Sequence, residues 1–264
     1  MIIKIVNKIS EKLEDLYLSF SYNHADLEKN QNKIFNGIGL NREDALNKID
    51  KIYNENPETQ DLASEHHLLF AALSDSKNIG KILEIGTYNA SCTKLLSILF
   101  PNSLITSIDL EDDDPIFLAT YDRNNKDVLT KFIEKRNEIL EGCQNVDFIQ
   151  KNSASLVNDR NKEYDLIWVD GAHGYPMVAI DIINSLANLA QNGQMFVDDI
   201  WTKRSKSDSN YRSIGAFETL CALKDAGLVE IDLIPKRIKF PHGKGSKKKY
   251  IAHVKKIKNN NESI

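Results

Sequence analysis

Residues 170–177 read DGAHGYPM and follow the apolar run YDLIWV. An acid, a glycine and a histidine do not suit a core strand. They suit a strand that ends at a reaction site. Asp170 offers carboxylate oxygens. His173 offers an imidazole with an ordinary pKa of about 6.5, largely free base at neutral pH. Such a pair can accept a proton or help to hold an ion. Similar residues close other apolar runs: Glu84 and Gly86 in LEIGTYNAS, Asp109 in SLITSID, Ser153 after NVDFIQ, and Asp198 with Asp199 in QMFVDD. One acid at a strand end is ordinary turn chemistry. Its recurrence at what should be one edge of a sheet points to a ligand, because ligands of open parallel sheets sit at the carboxyl ends of the strands.

The first of these turns suits a nucleoside. Gly86 permits a tight turn and close approach of backbone to ligand. Asp109 lies 23 residues later, about where an acid meets ribose hydroxyls in dinucleotide folds. No glycine occurs from Thr87 to Ser91, so the GxGxxG pyrophosphate fingerprint is absent, and no GxxxxGK[ST] loop occurs either. A ligand with a ribose and no phosphate is expected.

The elements that must position these residues follow from periodicity. Strands are expected at KILEIG, SLITSID, NVDFIQ, YDLIWVD and QMFVDD, alternating with helices. One helix, around 124–141, is long and charged. Another is opened by Pro176, striped by Ile180, Ile183, Leu186 and Leu189, and closed by Gly193. Strands alternating with helices predict an α/β fold with a mostly parallel sheet covered on both faces. After a helix near 214–225, LVEIDLI and YIAHV are too close for a crossover helix and predict an antiparallel pair near the C-terminus. Residues 1–78 contain no clear strand. They read as a helical extension, with an apolar helix over the first twenty residues, a helix start at Asn41, and a third helix from about Glu58 to Leu73. The domain itself is expected over 79–254, followed by a polar tail at 255–264.

Composition sets outer bounds. The net charge of −4 does not advertise nucleic acid. Cys92, Cys143 and Cys221 are scattered and odd in number, which argues for a reducing compartment over a disulfide framework. No stretch approaches the roughly 20 apolar residues of a membrane helix. MIIKIVNKIS, interrupted by Lys4 and Lys8, does not read as a signal peptide. The expectation is a soluble cytoplasmic protein without membrane partners.

ILEIGTYNAS, SLITSID, YDLIWVDGAHGYPMVAIDI and LAQNGQMFVDDIW, spread over roughly residues 60–201, resemble the class I S-adenosylmethionine-dependent methyltransferases. Within that class the resemblance is to the metal-dependent O-methyltransferases of the catechol and caffeoyl-CoA type, and nearer still to the macrocin type, which methylates sugar hydroxyls. It implies a Rossmann-like sheet. It implies that Glu84, Gly86, Thr87, Tyr88, Asp109, Ser153 and Asp170 surround S-adenosylmethionine. It also implies that Asp170, Asp198 and Asp199 hold Mg²⁺ or Mn²⁺, and that His173, with Asp170, does the catalytic work on an acceptor hydroxyl. Two departures stand out. Ala90 replaces a common glycine, and its Cβ should alter the fit of the cofactor. Asp199 stands where the catechol type has Asn, which favours a sugar or other polyhydroxylated acceptor; a nucleotide-sugar would be gripped at its phosphates by the basic residues 236–249.

Elementary electrostatics agrees that these acids need a cation: two carboxylates 4 Å apart repel by about 4 kcal/mol at an effective dielectric near 20. An all-oxygen set favours Mg²⁺ or Mn²⁺ over zinc. Neighbouring strand residues face opposite ways, so Asp198 and Asp199 can converge only where the backbone leaves the strand. The structural alternative is that the strand-end acids pair with lysines; a second enzyme reading is a methyltransferase without metal, in which the acids bind substrate. A non-catalytic nucleotide- or nucleic-acid-binding module is the rival from another class. It would use residues 236–249, which hold seven Lys or Arg and no acid. His66 and His67 are neighbours on an expected helix and make a poor metal pair. EDDDP at 111–115 reads as a solvated loop. Tyr88 and Trp201 flank the expected site and could stack on a ligand. The N-terminal helices could form a lid or a homodimer interface.

Overall fold

The computed structural model describes residues 23–61, 64–159, 162–203, 213–238 and 249–257. The expected first helix, most of the polar tail and the middle of the basic segment lie outside these residues. Three helices come first: α1 (His24–Gly37), α2 (Arg42–Glu55) and α3 (His66–Ser76). The α2 start is as expected, with the Asn41 side chain accepting from the backbone N–H groups of Glu43 and Asp44. The expected third helix is broken. Pro57–Thr59 forms a single 3₁₀ turn, and α3 begins only at His66.

Alternation then follows: β1 (Lys81–Ile85), α4 (Ser91–Leu99), β2 (Leu104–Asp109), α5 (Pro115–Leu118), α6 (Lys126–Glu141), β3 (Val146–Gln150), β4 (Tyr164–Val169), α7 (Met177–Asn188) and β5 (Leu189–Trp201). The chain closes with α8 (Gly215–Asp225), β6 (Val229–Pro235) and β7 (Lys249–Lys256). The sheet order is β3-β2-β1-β4-β5-β7-β6. The first five strands are parallel, and β7 is antiparallel to both of its neighbours. This is the topology of a class I methyltransferase, Rossmann-like, with a helical N-terminal extension. Among the described residues, no helix is long and apolar enough to cross a membrane.

The period of two sorts the strands onto two cores. Ile82, Trp168 and Phe196 face α1, α2, α3 and α4, where Phe35, Ile49, Leu69 and Leu96 complete one cluster. Leu83, Ile167, Val169 and Val197 face α7 and α8, against Val178, Ile182 and Leu220. The described N-terminal helices are thus part of the main core. They are tied in by the buried Arg42–Glu65 ion pair, with Nε to Oε2 at 2.6 Å.

Gly193 does not close α7, which ends at Asn188. It lies within β5, where a Cβ would come 2.7 Å from Leu189 Cδ1 and 2.9 Å from the Tyr164 carbonyl oxygen. The irregular register between β4 and the start of β5 depends on that close approach. The EDDDP segment is also more than a solvated loop. Asp112 grips Arg136 through both oxygens at 2.6 and 2.8 Å, and Asp114 caps α5.

Candidate active site

The order of strands along the sheet reverses between β1 and β4, and the crevice expected at such a switch point is present. A cavity of about 580 Å³ opens across the carboxyl ends of β1 to β4. Its wall runs from Gly86, Tyr88, Asp109 and Ser153 to Asp170 and His173.

Gly86 (φ +102) sits at the turn after β1. A Cβ there would lie 2.3 Å from the Asp170 carbonyl oxygen. The glycine is therefore required by the backbone after β4 as well as suiting a ligand. Gly171 does not adopt a left-handed conformation. Its lack of a side chain lets the β4 turn press on Ile85, whose Cγ2 would be 3.2 Å from an added Cβ.

Asp109 ends β2 and fixes the first loop. Its Oδ2 accepts from the Tyr88 N–H at 2.7 Å and its Oδ1 from the Leu110 N–H at 2.8 Å. A carboxylate has about four acceptor positions, so capacity remains on both oxygens for ribose hydroxyls. Burial raises the Asp109 pKa against the opposing effect of these N–H donors. Ser153, after β3, donates to Asp181 of α7 at 2.6 Å. Burial pushes the Asp181 carboxyl up to about 6.

Two expected cofactor residues do not line the cavity. Glu84 shares strand parity with Ile82, so its side chain points under α4. Its Oε2 accepts from Thr93 at 2.5 Å and Ser107 at 2.6 Å, and burial raises its carboxyl to about 7. The Thr87 hydroxyl pairs with Ser107 at 2.6 Å in the same network. Both residues brace the turn from behind. The Ala90 Cβ is also buried and absent from the cavity wall. Ala90 does sit in the left-handed region (φ +63) at the start of α4. That conformation costs a non-glycine residue about 1–2 kcal/mol. Ala90→Gly would relieve it, lose a buried methyl worth about 0.8 kcal/mol, and add roughly 0.5–1 kcal/mol of backbone freedom to the unfolded chain. Urea unfolding should therefore show a stability change under about 1 kcal/mol.

The far wall was not foreseen from sequence. Arg123 lies 3.9 Å over the Phe117 ring and 4.3 Å over Phe132, beside Tyr88 and Tyr121. Tyr88 lines the cavity as expected. Trp201 does not: it is buried beside Lys249, whose Nζ lies 5.7 Å from the ring centre.

At the β4–β5 end the expected residues do gather. The backbone leaves the strand as required: three residues of β5, from Val197 to Ile200, advance against two of β7, and Asp199 takes φ +54. This bulge lets neighbouring carboxylates share one partner. That partner is Lys236, just beyond β6. Its Nζ bonds Asp198 Oδ2 and, at 2.7 Å, Asp199 Oδ1. The Lys249 ammonium bonds Asp199 Oδ2. His173 Nε2 lies 3.7 Å from Asp170 Oδ1 and 3.9 Å from Asp199 Oδ2.

Protonation states follow from these neighbours. Burial and the adjacent Asp198 push Asp170 well above the usual carboxylate range. Burial would raise Asp198 and Asp199 as well, but Lys236 holds both below their ordinary value. For Lys236, burial favours the neutral amine, and Asp198 and Asp199 override it, so it remains an ammonium. For His173, burial lowers the pKa and outweighs the carboxylates that raise it. Its imidazole is neutral at pH 7.

The expected divalent site does not fit this arrangement. Six oxygens at 2.0–2.1 Å from Mg²⁺ lie within about 4.2 Å of one another. Asp170, Asp198 and Asp199 do not offer an atom each within even 4.8 Å, and Asp198 and Asp199 are absent from the cavity wall. Lys236 is bonded to both Asp198 and Asp199. A divalent ion 4 Å from its ammonium would be repelled by about 8 kcal/mol, twice the value for unit charges.

A different group of ligand-type atoms does converge. His66, His67 and Cys92 each place one within 4.8 Å of the others, despite the expectation that the neighbouring histidines diverge. Their rings meet at 4.1 Å. His66 Nδ1 contacts Ser64 and His67 Nδ1 contacts Tyr53. The set suits a soft ion such as zinc. Burial holds both histidines neutral and raises the Cys92 thiol well above its ordinary value, so an ion would have to displace the thiol proton.

Residues 83–200 match the family described as Methyltransferase domain. No curated protein matches the chain. Among solved structures, the chain is similar to an O-methyltransferase from Bacillus cereus in complex with S-adenosylhomocysteine (13% identity, TM-score 0.51, covering 80% of this chain and 90% of that one). It is similar to a methyltransferase from Podospora anserina bound to the same compound (15%, TM-score 0.51, 74% and 78%). It is also similar to a protein assigned as a caffeoyl-CoA O-methyltransferase in Staphylococcus aureus (15%, TM-score 0.53, 92% and 99%). At these identities the likeness is one of fold. The chain thus has the fold of the class I methyltransferases, and its residues 83–200 match a methyltransferase domain.

Proposed function

We propose that this chain is an O-methyltransferase that methylates a hydroxyl of a sugar, nucleotide-sugar or other polyhydroxylated small molecule, with His173 as the base. The observation that carries this reading is the shared cavity, which Gly86, Asp109 and Ser153 line together with Asp170 and His173. S-adenosylmethionine supplies an electrophilic methyl carbon on a sulfonium. The Gly86 turn and the Asp109 carboxylate hold the nucleoside, and Ser153, fixed by Asp181, stands beside it. The acceptor hydroxyl gives its proton to the neutral His173 imidazole as its oxygen bonds the methyl carbon. The carbon–sulfur bond breaks, and its electron pair stays on sulfur. Alignment of the two reacting atoms within the crevice supplies much of the rate. The sugar-type acceptor rests on Asp199 standing where the catechol type has Asn.

Calorimetry tests the cofactor assignment. S-adenosylhomocysteine should bind with a Kd on the order of micromolar, and NAD should give no heat, since no glycine-rich pyrophosphate loop exists. Asp109→Ala should weaken binding roughly 10–100-fold, the effect of losing hydrogen bonds to a charged group. Tight NAD binding without a response to S-adenosylhomocysteine would overturn the assignment.

A further inference from the structure

Lys236 lies within the basic segment but is not a surface charge. It is 6% exposed. Its backbone is held on both sides: its N–H donates to the Lys249 carbonyl at 3.0 Å, and its carbonyl accepts from the Glu65 N–H at 2.8 Å. The preceding Pro235 carbonyl accepts from the buried Gln31 side chain at 2.9 Å. Helices α1 and α3 and strand β7 therefore fix the point from which this side chain reaches the acids. The β5 bulge fixes the acids from the other side. Two independent features of the fold converge on one ammonium.

We propose that Lys236 is the resident cation of the Asp170–Asp198–Asp199 cluster, taking the place of a divalent metal. Lys236 then acts as a positioning residue. It joins Asp198 to Asp199, and Asp199 faces His173 Nε2 at 3.9 Å. Lys249 adds the second positive charge on Asp199. The consequence for methyl transfer rests on the proposed role of His173; the identity of the cation does not.

The test measures Mn²⁺ directly, so it needs no acceptor. Full-length protein is treated with chelator, desalted and titrated with Mn²⁺, and free ion is followed by electron paramagnetic resonance. Wild type should show no site tighter than about 1 mM that responds to Asp198→Asn or Asp199→Asn. Lys236→Met removes the ammonium and keeps the packing volume. It should gain a Mn²⁺ site at least about tenfold tighter, and a further Asp199→Asn change should remove that site. Cys92→Ser, in both backgrounds, should leave these results unchanged, which separates them from the His66–His67–Cys92 group. A wild-type site in the micromolar range that Asp198→Asn abolishes would overturn the proposal. So would a Lys236→Met protein that unfolds at the wild-type urea midpoint, binds S-adenosylhomocysteine normally and gains no Mn²⁺ site. Should Lys236→Met fail to fold, Lys236→Gln takes its place, and the wild-type titration alone still decides against the proposal if a site appears. Absence of S-adenosylhomocysteine binding would instead count against the methyltransferase assignment.

Discussion

His173→Ala should lower kcat roughly 10²–10⁴-fold, the range for loss of a positioned general base, with little change in affinity for S-adenosylhomocysteine. The separation is expected because the ribose contacts are assigned to Asp109, whereas His173 is assigned the acceptor hydroxyl. His173 has no hydrogen-bond partner among the contacts that fix the Gly86 and Asp109 turns. The wild-type pH profile carries the same information. Burial places the His173 pKa below its ordinary value, so the imidazole keeps its lone pair at neutral pH. As pH falls through that lowered value the base gains a proton and kcat/KM should drop. This acidic limb should lie below about pH 6.5, the ordinary histidine value, and should vanish in the alanine variant along with most of the rate. Single-turnover measurements with a methyl-labelled donor separate this chemical step from product release. A variant with wild-type kcat and an unchanged acidic limb would send the proton elsewhere.

The strands and their alternation with helices could be anticipated because the apolar runs were short, regularly spaced and each closed by a polar residue. Local sequence reports such features well. The location of Asp170 and His173 at the cavity was legible for the same reason: a strand end in a parallel sheet has a known destination. Glu84 was misplaced because parity was not applied to it. With Ile82 on the α4 face, Glu84 had to share that face, and so to lie under the helix. Lys236 was harder. The basic segment was visible, as was the possibility that lysines pair with the acids. Which lysine does so depends on β7 entering the sheet between β5 and β6, a pairing that no local pattern encodes. The bulge at Asp199 was recognised as a requirement from the two adjacent acids. Its left-handed backbone comes from the register against β7. Arg123 and its rings gather from the loop after β1, α5, α6 and the loop between those helices, so their meeting also depends on tertiary packing.

Gly86→Val should lower stability by about 4 kcal/mol or more, a loss reserved for a small set of severe backbone and packing faults. For a chain of this size that corresponds to a fall in Tm of roughly 8–16 °C. Two costs combine. At φ +102 a β-branched residue is strained in any surroundings. The larger cost is the Cβ itself, which would sit 2.3 Å from the Asp170 carbonyl oxygen, 2.7 Å from its carbonyl carbon and 2.9 Å from the Gly171 nitrogen. These are backbone atoms at the end of a central strand, and they cannot swing aside as a flexible side chain would. Asp170 N–H also donates to the Ile85 carbonyl at 2.8 Å, so moving one strand end breaks a bond to the other. Gly39→Ala isolates the first cost: Gly39 has φ +79 and open space around an added Cβ, so it should lose only about 1–2 kcal/mol. Thermal unfolding of the two variants side by side measures the difference. If Gly86→Val unfolds within about 1 kcal/mol of wild type yet no longer binds S-adenosylhomocysteine, the glycine serves the ligand alone. If it loses stability and binding together, Gly86 is the point where β1 and β4 are pressed close enough to place the nucleoside turn beside Asp170.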